Sequence, residues 1–144
     1  MRVWIALMMA ATIASCAELG SSWTRLMRAS ASGEIHSVRA MLEDGADPNE
    51  ADTEGNTPLI VAAQLGRSEV VGVLLAAEAR VDQANDSDLT PLMAAARLGH
   101  TETVILLLEA GADRTRRDAS GKTALEWARS GGRDETAQIL EREN

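Results

Sequence analysis

Two histidines, one cysteine and a supply of serines are the residues of this 144-residue chain that could act as bases or nucleophiles. A hydrolytic triad needs a histidine beside a hydroxyl or thiol, with a carboxylate to orient it. No serine falls in a G-x-S-x-G turn or beside such a pair. Neither His36 nor His100 has a second His or Cys at ligand spacing, so no metal site is predicted. No G-x-x-x-x-G-K-S/T loop or G-x-G-x-x-G turn is present to cradle a phosphate. Acidic pairs such as Glu43 and Asp44 read as ordinary solvated helix surface. The expectation is a chain that is not an enzyme, with no catalytic residue, no cofactor and no metal.

Charge narrows the field further. The formal net charge is −8, which repels phosphate backbones and argues against general nucleic-acid binding. Arg114, Arg116 and Arg117 form a local exception, flanked by Asp113 and Asp118. A solvated loop is the favoured reading of this cluster, over a phosphate site. Tyr and Phe are absent, and Trp4, Trp23 and Trp127 are the aromatics. The apolar stock is Ala, Leu, Val, Ile and Met, and Ala and Leu favour helix.

The N-terminus carries its own signal. Arg2 and the terminal amine precede an apolar run from Val3 to Ile13, broken by Thr12 alone. That run is too short for a spanning helix, which needs about 20 residues. It has the length of a signal-peptide core. It ends in Ile13-Ala14-Ser15-Cys16, which resembles the lipobox of bacterial lipoproteins. The resemblance implies cleavage before Cys16 and lipid attached to its sulfur. Cys16 is the only cysteine, so no intramolecular disulfide competes for it. The alternatives are ordinary secretion, with cleavage after a small residue such as Ser15 or Ala17, and a cytoplasmic protein. The expected organisation is a signal peptide over 1–15, then a lipidated cysteine and short tether over 16–23. The location expected is the cell envelope, on a membrane facing the periplasm or exterior, with a soluble secreted form as the alternative.

The rest of the chain repeats every 33 residues. Thr57-Pro58-Leu59 returns as Thr90-Pro91-Leu92 and Thr123-Ala124-Leu125, and stepping back gives Thr24-Arg25-Leu26. Gly33, Gly66, Gly99 and Gly132 keep the same spacing, as do Val38, Val71 and Val104. Each copy reads as a helix pair. Thr caps the first helix and Pro pre-sets its first turn. In the second copy that helix runs from Pro58 to Leu65, with Leu59, Ala62 and Ala63 on one face. Gly66 stops it. The second helix follows over about Ser68 to Ala77, with Val70, Val71, Leu74 and Leu75 inward. Gly45 or Gly111 ends the second helix left-handed. A lone helix pair cannot bury its apolar face, whereas stacked pairs share one core.

The period, with T-P-L-x-x-A-A-x-x-G followed by V-x-x-L-L-x-x-G-A-D, resembles the ankyrin repeat. The resemblance covers residues 24–142 and implies an all-α solenoid of about four 33-residue helix-turn-helix repeats joined by hairpin-like loops. The domain is set at 24–144, with repeats at about 24–52, 53–85, 86–118 and 119–144. The first and last copies look like caps, made more polar by Arg25 and Arg28 and by Glu126, Gln138, Glu141 and Arg142. Two departures stand out. The family's fourth residue in T-P-L-H is replaced by Met27, Ile60, Met93 and Glu126, so its polar tie between neighbours should be missing. Glu78 stands where other copies have Gly45 and Gly111, which costs about 1–2 kcal/mol if the left-handed turn is kept.

By the same resemblance, partners lie on a concave face built from loop tips and first helices. The matching positions are Thr53, Glu54 and Asn56; Ser87, Asp88 and Leu89; and Ala119, Ser120 and Lys122. On the first helices they are Gln64, Leu65, Arg97 and Leu98, with Ser130 and Gly131. Leu65 and Leu98 either pack between repeats, the slightly favoured reading, or form a small apolar patch on the binding side. The implied function is a monomeric scaffold that binds another protein, with the membrane reached only through lipid on Cys16. Two roles fit: an inhibitor or immunity-type partner of a toxic enzyme or an assembly factor, and an accessory that stabilises an envelope enzyme; an enzyme is the remote third.

Overall fold

The computed structural model describes residues 23–142. Eight helices follow one another among the described residues: α1 (Arg25–Ser32), α2 (Ile35–Glu43), α3 (Pro58–Gln64), α4 (Ser68–Ala76), α5 (Pro91–Leu98), α6 (Thr101–Glu109), α7 (Ala124–Ser130) and α8 (Asp134–Glu141). No strand is assigned among them, and the fold is all-α. The odd-numbered helices pack in one row, α1 on α3 on α5 on α7. The even-numbered helices pack in a second row, and each pair closes across the two. This is a helix-pair solenoid.

Local chemistry explains why each pair forms where it does. Thr24, Thr57, Thr90 and Thr123 sit in extended conformation, and each hydroxyl accepts from a backbone N–H three residues on, at 3.2–3.3 Å. That satisfies one of the orphan donors at a helix start. At the fourth copy Glu126 returns the favour, accepting from the Thr123 N–H at 2.7 Å to complete a capping box. The helices of the second copy end one residue earlier than the sequence pattern indicated, at Gln64 and Ala76, because Leu65 and Ala77 are already their caps.

The core is shared between repeats. Leu59, Ala62 and Ala63 are buried, and so are Ile60 and Val61, so α3 is enclosed on nearly all sides by α1, α5 and α4. Val38, Val71 and Val104 are each fully enclosed on the second row. Burying a Leu or Val of this kind contributes about 1.5–3 kcal/mol. Arg25, Arg28, Glu126, Gln138 and Glu141 are exposed at the two ends.

Polar ties between repeats exist, though not where the family's histidine would stand. Met27, Ile60 and Met93 occupy that position and are buried apolar side chains. The ties come instead from the start of the second helices. The Arg67 Nε donates to the Ala31 carbonyl at 2.9 Å, and the His100 Nε2 donates to the Gln64 carbonyl at 2.9 Å. The His100 ring lies over Gly66, whose left-handed backbone brings it so close that a Cβ there would sit 2.5 Å from Nδ1. Hydroxyl pairs Ser68–Thr103 and Thr101–Thr136 add a second ladder at 3.0 and 2.9 Å.

Arg114 closes the far end. Its guanidinium donates to the carbonyls of Leu140, at 3.1 Å, and of Arg142, capping the last turn of α8. Arg117 is committed to the Gly121 carbonyl and to Glu126. Two of the three arginines in this cluster therefore bind protein atoms, which favours the loop reading over a phosphate site.

Candidate functional site

The loop tips are built three times on one plan. Asp52, Asn85 and Asp118, 33 residues apart, each turn a side-chain oxygen back onto the tip. Asp52 Oδ1 accepts from the N–H groups of Glu54 and Asn56 at 2.9 and 2.8 Å. Asn85 Oδ1 does the same for Ser87 and Leu89, and Asp118 Oδ1 for Ser120 and Lys122, at 2.9–3.0 Å. Such side-chain turns hold the backbone without a strand ladder. The tips are also stitched to one another. Asp86 N–H donates to the Glu54 carbonyl and Ala119 N–H to the Ser87 carbonyl, both at 3.0 Å. Asn85 Nδ2 donates to Asn56 Oδ1 at 2.9 Å.

Between these tips and the ends of the odd-numbered helices lies a concavity of about 430 Å³. It gathers Glu54, Asn56, Gln64, Ser87, Leu89, Arg97, Ala119 and Ser120, all candidate partner-binding positions from the sequence, together with Asn85, Asp118 and Trp127. Three repeats contribute, so no single one forms it. Thr53 and Asp88 are exposed on the tips beyond its lining, and Lys122 overlooks it through Trp127. Asn56 is held within the tip frame by Asp52 Oδ2, at 3.1 Å, and by Asn85. Asp88 takes the left-handed turn position, with φ 55°, that Gly55 and Gly121 fill in the neighbouring tips. Ser130 and Gly131 are exposed at the end of α7. Cys16 and the segments 1–15 and 16–22 lie outside the described residues.

Leu65 and Leu98 are 43% and 40% exposed, so the packed alternative does not hold. The buried face of each helix ends at Ala63 or Ala96. Helical rotation then carries the next residues outward, through half-buried Gln64 and Arg97 to the two leucines. Ile105, on the second row, is the other large apolar side chain exposed among the described residues.

Trp127 was missed in the sequence. It aligns with Val61 and Ala94, buried members of the first helices, and with exposed Arg28 in the first copy. Trp127 itself is half-buried. Its indole Nε1 donates to Asp118 Oδ2 at 2.7 Å, while the Lys122 ammonium lies 4.2 Å and the Arg97 guanidinium 5.6 Å from its ring centroid. Both distances suit cation–π attraction. A tryptophan in a chain without Tyr or Phe was the available signal.

Electrostatics reinforce the frame. Burial opposes ionisation of Asp118, but hydrogen bonds from the Ser120 hydroxyl, the Lys122 N–H, the Trp127 indole and the Ser120 N–H outweigh it and hold the carboxyl below its ordinary range. The Glu126 carboxyl is lowered too, first by the Thr123 N–H and hydroxyl and then by Arg117. Among the described residues, no three His, Cys, Asp or Glu side chains converge as a metal cage. No helix there is long and apolar enough to cross a membrane.

A stack of capped helix pairs with a many-repeat concavity defines a class of solenoid scaffolds. A family model for ankyrin repeats, three copies long, matches residues 6–85 and again 78–144, and the chain belongs to the ankyrin-repeat family. A zebrafish (Danio rerio) protein, "Ankyrin repeat and SAM domain-containing protein 6", is 43% identical over 51 residues. Those residues are 35% of this chain and 7% of that relative, so the chain spans a small part of its length. Ankyrin repeats are in general modules for protein–protein interaction, without enzymatic activity.

Proposed function

We propose that this chain is a non-enzymatic binding module that docks a segment of another protein in the concavity between its loop tips and first helices, while lipid on Cys16 holds it at the cell envelope. The observation that carries the docking reading is that residues from three repeats converge there on a rigid, internally hydrogen-bonded frame, with Leu65 and Leu98 exposed at the ends of its first helices. The half-buried Trp127 and Arg97 in its lining are the residue types that anchor interfaces. A partner identified by co-purification provides the test, through the double variant Leu65→Ser/Leu98→Ser. Partner binding should fall at least tenfold with an unchanged melting temperature. Undiminished binding, or loss of folding, would refute the assignment of these leucines to the interface.

The anchoring part of the reading rests on Val3 to Ile13 and on Ile13-Ala14-Ser15-Cys16. Mass spectrometry of the protein from a membrane fraction should find Cys16 as the N-terminal residue, carrying acyl chains. Cys16→Ser should shift the protein to the soluble fraction. An unmodified Cys16 in a cleaved or full-length chain would sink it.

A further inference from the structure

The charges around Trp127 indicate what the concavity holds. Arg97 and Arg114 are the half-buried arginines among the described residues. Arg114 is committed to the α8 carbonyls, as shown above. Arg97, by contrast, makes no hydrogen bond or ion pair with any described residue; its guanidinium rests over Trp127. Lys122 is alike, with its ammonium over the same ring and no polar partner among the described residues. Guanidinium and ammonium have donors alone, so each needs an acceptor or water. The two cations thus converge on one indole at the edge of the concavity.

The carboxylates nearby do not answer them. Asp118 already accepts from the Trp127 indole, the Ser120 hydroxyl and N–H, and the Lys122 N–H. Glu54 belongs to the tip of the second repeat, two tips away from that of Lys122, and its carboxylate meets Asn56 at 3.4 Å. The remaining lining is Asn56, Gln64, Asn85, Ser87 and Ser120 beside apolar Leu89 and Ala119. Asn56 and Asn85 are bound into the tip frame and the Ser120 hydroxyl donates to Asp118. The Gln64 amide and the Ser87 hydroxyl are left to exchange hydrogen bonds with an extended main chain.

We infer that the concavity binds an extended, acidic segment of its partner protein, with one carboxylate received by Arg97 and Lys122 on their Trp127 platform and the peptide backbone laid along the amide and hydroxyl lining. This rests on the docking reading given above and adds its chemistry. Charge complementarity selects a carboxylate, and the planar guanidinium suits its two oxygens.

The test pans the full chain against a library of random dodecapeptides with free C-termini. Winners should be enriched in Asp or Glu, or use the terminal carboxylate. They should shift the Trp127 indole N–H resonance, assigned by its loss in Trp127→Phe. Arg97→Gln/Lys122→Gln removes two exposed-end cations that bond nothing in the frame, so the fold should survive, checked by melting. Affinity for a synthetic acidic winner should drop about 10- to 100-fold, in line with charge-assisted hydrogen bonds of about 1.5–3 kcal/mol. Winners that shift the indole without acidic enrichment, or whose affinity survives the double substitution, would overturn the carboxylate assignment and leave the docking site standing. Displacement of the winners by millimolar inorganic phosphate would overturn it in favour of a free-anion site. Winners that leave the Trp127 resonance unmoved and bind Leu65→Ser/Leu98→Ser normally would remove the docking site itself.

Discussion

Glu78 offers a stringent check on the backbone reasoning. It has φ 65°, where the equivalent Gly45 and Gly111 have 94° and 90°. The hydrogen bonds around the three residues match. The Glu78 N–H donates to Leu75 and the next N–H to Leu74, as Gly45 and Ala46 do to Leu42 and Met41. The turn is thus preserved, with φ shifted by roughly 25–30° and a Cβ added. The Glu78 side chain is exposed and makes no hydrogen bond among the described residues. A left-handed residue with a Cβ costs about 1–2 kcal/mol. Glycine returns roughly 0.5–1 kcal/mol of that through the larger entropy of its unfolded chain. Glu78→Gly should therefore stabilise by about 0.5–1 kcal/mol, a rise in melting temperature of about 2–4 °C for a domain of this size. Glu78→Asn should do at least as well, because Asn tolerates the left-handed region with less entropy to lose. Glu78→Gln controls for the removed charge and should leave melting nearly unchanged. Calorimetry at neutral pH and moderate salt decides. No rise for Gly and Asn, or an equal rise for Gln, would refute the strain argument.

Three other outcomes are expected. Ser30 is fully buried, its hydroxyl has no partner among the described residues, and Ala63 and Ala96 hold the equivalent sites; Ser30→Ala should stabilise by about 1 kcal/mol in denaturant unfolding, since an unpaired buried hydroxyl costs about 1–3 kcal/mol. Arg114→Ala should cost about 1 kcal/mol, and hydrogen exchange should localise the loosening to α8. The Asp118 carboxyl is lowered in the folded state from its ordinary 3.8, so its contribution is present above that value and lost as pH falls through the folded pKa. Trp127 fluorescence should accordingly change below about pH 4, and Asp118→Asn, which copies Asn85, should abolish that step while keeping the tip.

The repeat architecture was legible because core positions recur at a fixed interval, and a packing position must hold a similar side chain each time. Thr57, Thr90 and Thr123 announce helix starts in the same way. What escaped were features that occur once. Trp127 shares its column with Arg28, Val61 and Ala94, so the repeat assigns it no fixed environment, and its half-buried position depends on Asp118 and on Lys122, five residues before it. The exposure of Leu65 and Leu98 was open in the sequence because a residue at the end of a short helix is one rotation from either face. The polar ties of Arg67 and His100 were invisible because they run to backbone carbonyls, which have no residue type to read. The tip frame was half visible: Asp52 and Asp118 share their spacing, but Asn85 differs in type and fills the same role through the one oxygen both side chains possess.

The stitching of one tip to the next has a consequence for how such a surface changes over generations. The Asp86-to-Glu54 and Ala119-to-Ser87 links use main-chain atoms, and the Asx oxygens at 52, 85 and 118 need only backbone N–H groups to accept from. Residues 53, 54, 87, 119 and 120 can therefore mutate without touching the contacts that set the spacing of the tips. Recognition and folding draw on separate sets of atoms, so a new partner can be acquired by drift at the tips while the melting temperature stays almost constant. Deep mutational profiles of such a protein would show tolerant columns at the tips interleaved with intolerant ones at 52, 85 and 118.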